Sequence, residues 1–146
     1  LTANVDQAPT FAEIAGAAVP SWVDGRSLLG ILRGQSSSDW RQVLLLEHKN
    51  DGPDDEEWQG LSGDEIGPTV GSGAIPFSGL RTADGFTYIE YENGEHELYN
   101  DLIDPDQLGN GYDSAPADRK AKLNSWLGSL RRASGSGLRQ AEAAAH

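Results

Sequence analysis

The side chains best suited to chemistry are few and scattered along this chain. Glu47-His48-Lys49 sets an imidazole, the side chain that titrates nearest neutrality, between a carboxylate and an amine. Taken alone, the triplet reads as a polar strand end. Arg81 offers a guanidinium to an anionic group, although an arginine among so many carboxylates also reads as a structural ion pair. Asp51-Gly52-Pro53-Asp54-Asp55-Glu56-Glu57 presents oxygen ligands of the kind Ca²⁺ takes, but lacks the alternate spacing and terminal bidentate glutamate of an EF-hand loop. It reads as a solvated acidic loop. The absence of cysteine excludes disulfides and thiolate metal sites. His96 reads as a packed residue. Of the four tryptophans, Trp22, Trp40 and Trp126 read as packing groups, whereas Trp58, inside a loop, is a candidate for stacking on carbohydrate.

Any such side chain has to be positioned by a modest fold. The 146 residues are 37% apolar with 18 glycines, a thin core for the length. A net charge of -12 repels nucleic acid and anionic membrane surfaces, so neither is expected as a partner. No apolar run approaches the roughly 20 residues of a membrane helix, and no signal peptide is evident, so a soluble chain is expected. The absence of methionine fits an excised fragment.

Asp6 is positioned to cap a short helix over residues 7–15, with Pro9 in its first turn and Gly16 as its stop. A second short helix fits Ser27 to Arg33, ended by Gly34, and its nearly all-round apolar surface requires a covering layer. Val43-Leu44-Leu45-Leu46-Glu47 reads as a strand buried on both faces, a run that also suits a short buried helix, and Phe77 to Thr82 reads as a further strand. Between them, residues 50–75 read as a long mobile loop.

Residues 86–99 read as a β-hairpin closed by Asn93-Gly94 in a two-residue type I′ turn. That register pairs Ile89 with Leu98 and Tyr88 with Tyr99. It also sets Glu92 opposite Glu95 and Glu90 opposite Glu97, so the glutamate face is expected to be wet and the Ile89/Leu98 face buried. Leu123, Trp126, Leu127 and Leu130, at i, i+3, i+4 and i+7, predict a helix over 117–133 that packs on the Ile89/Leu98 face. Ser114 or Asp113 suits its N-cap, and Arg131-Arg132 suit its C-terminal dipole. Residues 134–146, small and polar, are expected to be a disordered tail. The fold class is therefore α+β, a small antiparallel sheet of about four strands packed against a C-terminal helix and preceded by short helices.

Several of these stretches, in order, resemble the C-terminal portion of the sulfatases. Val5-Asp6-Gln7-Ala8-Pro9-Thr10 and its helix ending Ala15-Gly16 are similar to V-D-L-x-P-T, and Asp24-Gly25-Arg26-Ser27-Leu28 to D-G-x-S-L. Leu46-Glu47-His48, Leu80-Arg81-Thr82, Glu97-Leu98-Tyr99-Asn100-Asp101 and Asp104-Pro105 follow with the expected spacing. Three positions depart from the pattern: Gln7 replaces a leucine, Thr87 stands where a lysine is frequent, and Gln107 replaces the acid of D-P-x-E.

The resemblance implies a sulfuric ester hydrolase whose chemistry rests on formylglycine, made from the Cys or Ser of C/S-x-P-x-R, and on Ca²⁺. Both are implied for the parent protein, upstream of this chain, and no cofactor or catalytic residue is expected here. The nearest match, Ser114-Ala115-Pro116-Ala117-Asp118-Arg119, has its arginine one residue late. Glu47, His48, Lys49 and Arg81 are the candidates for proximity to substrate. The implied organisation is the tail end of a main catalytic domain over 1–34, a C-terminal subdomain over 40–133 that covers and shapes the cleft, and the tail. The expected partners are the N-terminal catalytic domain of the same polypeptide, a sulfate ester, and a second copy held through exposed apolar helices. Two alternatives are a C-terminal piece of a related phosphatase or phosphodiesterase, and a free-standing acidic module whose 50–75 loop engages a cationic partner.

Overall fold

A computed structural model describes residues 1–35, 40–49 and 75–144. The expected loop over 50–75, including Trp58 and the acidic run 51–57, lies outside the described residues apart from Ile75. A 3-10 turn at Asn4–Asp6 leads into α1 (Gln7–Ile14), and α2 (Leu29–Leu32) follows. The sheet comprises β1 (Val43–His48), β2 (Phe77–Thr82), β3 (Phe86–Tyr91) and β4 (His96–Asn100), and the chain continues with α3 (Ala117–Leu130) and α4 (Gly135–Ala143). The four strands form an antiparallel meander in the order β1-β2-β3-β4. This is the expected α+β class.

The hairpin register differs from the expected one by a single residue. Gly94 takes φ +86° while Asn93 stays at negative φ, so the connection is a three-residue loop, Glu92-Asn93-Gly94, and not a type I′ turn. The Gly94 N–H donates to Tyr91 O at 3.0 Å and the Tyr91 N–H to Glu95 O at 2.9 Å, the pattern of a turn closed by a left-handed glycine. A one-residue slip exchanges the faces of one strand. Tyr88 therefore pairs with Leu98, Ile89 with Glu97, and Glu90 with His96. Both like-charge pairs of the expected register disappear.

The buried face carries Val43, Leu80, Tyr88 and Leu98, and α3 covers it with Leu123, Leu127 and Leu130. Ile89 lies on the opposite face, so the docking surface for α3 is Tyr88/Leu98 and not Ile89/Leu98. Trp126 flanks this core, half-buried. No side chain caps α3, whose N-cap position is Pro116, so Ser114 and Asp113 do not fill the expected role.

Beyond α3, the expected tail is a helix. Leu138 of α4 joins the core, and the Gly135 N–H donates to Asp24 Oδ1 at 2.5 Å. Glu142 is 2% exposed. It lies 2.9 Å from Arg41 Nε and 3.5 Å from Arg26 Nη2. Arg41 in turn grips Asp6 with both terminal nitrogens, at 2.8 and 3.0 Å. Asp6 is therefore not a cap for α1: its carboxylate also accepts the Ala3 N–H at 2.8 Å and the Arg26 N–H at 2.9 Å.

This network joins residues 1–41 to the end of the chain. Burial would push Asp6 up, but hydrogen bonds from Arg41 and from the backbone of Arg26 and Ala3 hold it below the usual aspartate range. Burial raises Glu142, outweighing the lowering by Arg41 and Arg26.

The two carboxylates therefore act on stability with opposite sign. With a lowered folded pKa, Asp6 stabilises the fold above the ordinary aspartate range and loses that contribution as pH falls through its folded value. Glu142, with a raised folded pKa, favours the fold as pH falls through its own. Asp6→Asn is expected to cost about 3–5 kcal/mol at neutral pH, the penalty for breaking a buried pair. In urea unfolding the gap to wild type should narrow as pH falls below the ordinary aspartate range, where the wild-type Asp6 contribution fades. A pH-independent gap would contradict the assignment.

Candidate functional site

The sheet has two ends of different character. Antiparallel register places Val43, Thr82, Phe86 and Asn100 in one row, and His48, Phe77 and Tyr91 in a row at the other end. The Phe77 ring is the centre of the second row. It lies 5.7 Å from the His48 ring and 5.7 Å from that of Tyr91, edge-on at 64° to the latter. The three side chains share a sheet face because β1, β2 and β3 put them in register. His48 is half-buried, and its Nε2 is shielded from solvent without a hydrogen-bond partner.

Around this row lies an open groove of about 420 Å³, whose lining includes His48, Lys49, Phe77, Tyr91, Glu90 and Arg131. That is within the roughly 300–1,000 Å³ of small-molecule sites. Lys49 is exposed at the end of β1 and makes no ion pair among the described residues. Arg131, just past α3, approaches Glu90 at 3.4 Å. Asn124 Nδ2 donates to the other Glu90 oxygen at 3.3 Å. The lining offers aromatic rings, an ammonium and a carboxylate, which is binding chemistry. The geometry assigns no bond-making step.

Of the four sequence candidates, His48 and Lys49 meet at this groove. Glu47 does not line the groove; it is exposed on β1, paired with Ser78. Arg81 sits four residues along β2 from Phe77 and is 47% exposed, 3.3 Å from Asp101. Phe77, Tyr91, Glu90 and Arg131 are groove residues the sequence pattern did not single out. The Phe77/Tyr91 pairing was the available signal, and it becomes visible only once strand register is known. His96 lies flat against Tyr112, centroids 4.6 Å apart, and is packed as expected.

Arg81 belongs to a second polar cluster. Thr87 Oγ1 donates to Asp101 Oδ2 at 2.8 Å, while Gln107 Nε2 donates to Asp101 Oδ1 at 2.8 Å and to Thr87 Oγ1 at 3.2 Å. Gln107 has φ +54°, a left-handed conformation unusual outside glycine, and these side-chain bonds help hold it. Thr87 and Gln107 are two of the positions that depart from the sulfatase pattern, where a lysine and an acid stand. Here the two neutral side chains meet at one carboxylate, that of Asp101.

Comparison with known proteins bears on the family and the fold. The family model described as the C-terminal region of N-sulphoglucosamine sulphohydrolase matches residues 1–55. Human N-acetylglucosamine-6-sulfatase is 32% identical over 154 aligned residues, covering 92% of this chain and 27% of the relative. The N-acetylglucosamine-6-O-sulfatase of Bacteroides thetaiotaomicron is 30% identical over 126 residues, covering 84% of this chain and 19% of the relative. A solved structure of a protein in complex with its substrate D-glucosamine-2-N,6-O-disulfate superposes with TM-score 0.68 at 26% identity, covering 88% of this chain and 24% of that one. The phosphonate monoester hydrolase of Silicibacter pomeroyi gives 0.59 at 27% identity, covering 90% and 24%.

The fold is thus that of a C-terminal portion of hydrolases related to alkaline phosphatase. Within that class, the chain is homologous to the sulfatases. It spans about a quarter of the length of the curated relatives it matches, 27% for the human protein.

The Thr87/Gln107 exchange gives a direct test of the second cluster. Gln107→Glu brings a carboxylate against Asp101 and removes a donor, and is expected to cost about 1–3 kcal/mol. Adding Thr87→Lys should recover part of that loss. A double-mutant cycle with no coupling between the two positions would contradict the reading.

Proposed function

We propose that this chain is the C-terminal subdomain of a sulfuric ester hydrolase, one that covers and shapes the substrate cleft while the catalytic residues lie elsewhere in the polypeptide. One observation carries the reading: similarity to N-acetylglucosamine-6-sulfatases runs through 92% of this chain yet reaches only 27% of the human relative's length. The groove at the His48 end of the sheet is the surface that would face the cleft, and a sulfated amino sugar is the substrate in this reading. In the same reading residues 1–34 are the tail end of the main domain.

In this reading the Ca²⁺ and formylglycine of the sulfatases belong to the part of the polypeptide outside this chain. The missing catalytic domain also gives a role to the apolar side chains of residues 1–34. Phe11, Ile14, Trp22 and Leu32 are 59–76% exposed, which makes them the contact surface for that domain.

A second reading is favoured by the structural match to a phosphonate monoester hydrolase at 27% identity. The two readings separate on substrate. The intact polypeptide is expected to release sulfate from N-acetylglucosamine 6-sulfate and to leave phosphonate monoesters largely untouched; the reverse preference would support the second reading. The 146-residue chain alone is expected to turn over neither substrate and to self-associate through its exposed apolar residues. Turnover by the chain alone would overturn the proposal, and a monomer at high concentration in light scattering would remove the role assigned to that surface.

A further inference from the structure

Two asparagines of this chain, Asn93 and Asn110, are followed by glycine. That dipeptide is open to spontaneous cyclisation, because glycine has no side chain to keep its amide nitrogen away from the preceding carboxamide. Both asparagines are exposed, so access of water does not separate them. Their hydrogen bonds do.

Asn110 is tied to the outer edge of β4, the last strand of the sheet. Its Oδ1 accepts the Leu98 N–H at 3.2 Å and the Tyr112 N–H at 3.0 Å, and its Nδ2 donates to His96 O at 2.9 Å. The Gly111 N–H donates to Leu98 O at 2.9 Å, so the carboxamide and the nitrogen that would attack it are both held against one strand. Turning that carboxamide toward Gly111 would strip the edge of the partners that cover it.

Asn93 stands at the hairpin tip with less to lose. Its Oδ1 accepts the Glu95 N–H at 3.0 Å, and its Nδ2 makes no hydrogen bond among the described residues. A Cβ built on Gly94 would meet nothing within 4 Å, so the space around the attacking nitrogen is open. The Gly94 N–H is held by Tyr91 O at 3.0 Å, one bond at a turn tip, where local opening costs least.

We propose that Asn93 is a site of spontaneous deamidation and isoaspartate formation, and that the fold protects Asn110 from the same reaction. The Gly94 nitrogen gives its proton to base and attacks the Asn93 carboxamide carbon. The new carbon–nitrogen bond closes a succinimide, and the side-chain nitrogen leaves as ammonia with a proton from water. Water then adds to one of the two imide carbonyls and breaks its bond to the ring nitrogen. Attack at the side-chain carbonyl gives aspartate, and attack at the backbone carbonyl gives isoaspartate, whose backbone runs through one extra carbon.

Either product places a new carboxylate between Glu92 and Glu95, where like charges repel. The isoaspartyl product also lengthens the three-residue loop that the Tyr91 N–H closes on Glu95 O at 2.9 Å. Tyr91 carries the ring that packs edge-on against Phe77, so ageing at Asn93 loosens that row of the sheet.

The test holds the intact polypeptide carrying these residues in mildly alkaline, heavy-oxygen water and follows peptides spanning each asparagine by mass spectrometry. In the native state Asn93 should convert at least about tenfold faster than Asn110, the scale of the two extra side-chain hydrogen bonds that Asn110 must break. In concentrated urea the two rates should converge, since both residues precede glycine. The Asn93 product should carry heavy oxygen and separate into aspartyl and isoaspartyl forms. Equal native rates, or faster conversion of Asn110, would overturn the proposal. The purified isoaspartyl form should exchange its Tyr91 amide hydrogen faster than Asn93→Asp, which adds the same charge without the extra backbone carbon. Equal exchange would overturn the link to Tyr91.

Discussion

The Arg41 guanidinium, held between Asp6 and Glu142, is the contact on which the rest of this structure depends. It is buried beneath three segments far apart in sequence: the start of the chain, the entry to β1 and the last helix. Removing such charges from water costs several kcal/mol per ion, and the return comes only with good geometry. Arg41 meets that condition through a bidentate bond to Asp6, which accepts two backbone N–H bonds as well. A substitute of similar volume without charge could fill the space. It would not say which three segments meet there.

That meeting has consequences at both ends of the sheet. Gln42 follows Arg41 and bridges two elements, its N–H donating to Glu142 O and its carbonyl accepting from Ala83, each at 2.7 Å. The first row of the sheet is thereby fixed against α4. From there the meander carries the order outward to the row of His48, Phe77 and Tyr91. At the Arg41 end, beyond β4, Leu102, Ile103 and Leu108 are 76–85% exposed on a loop whose polar groups are well satisfied. At the far end the exposed groups are polar and aromatic. One end is built to meet an apolar surface and the other to meet water or a polar ligand.

Most elements were legible in the sequence because each carries a local signal. β1 is an apolar run of strand length, α3 has a clear i, i+3, i+4, i+7 stripe, and the hairpin is marked by Asn93-Gly94. The register was not, because Asn-Gly suits both a two-residue type I′ turn and a longer turn closed by glycine alone. What separates them is whether Asn93 also takes positive φ, and the dipeptide does not say. The glutamates held a clue, since the shorter turn stacks two like-charged pairs and the longer one none. The last helix was hidden for a different reason. Its sequence is small and polar, and the residue that anchors it, Glu142, looks like any surface glutamate until Arg41, a hundred residues earlier, is seen beside it.

The candidate groove was half legible for the same physical cause. His48 and Lys49 stand out as chemical residues in one strand, whereas their neighbours come from β2, β3 and the end of α3. Charge sharpens the point. In a chain of net charge -12, Arg26, Arg41, Arg81, Arg119 and Arg131 are engaged by carboxylates, and Arg119 also lies over the Phe86 ring at 3.7 Å. Lys49 makes no ion pair among the described residues and lies beside aromatic rings the register has lined up. The pairing of β1 with β2 and of β2 with β3 is therefore what brings a polar strand end together with the two rings.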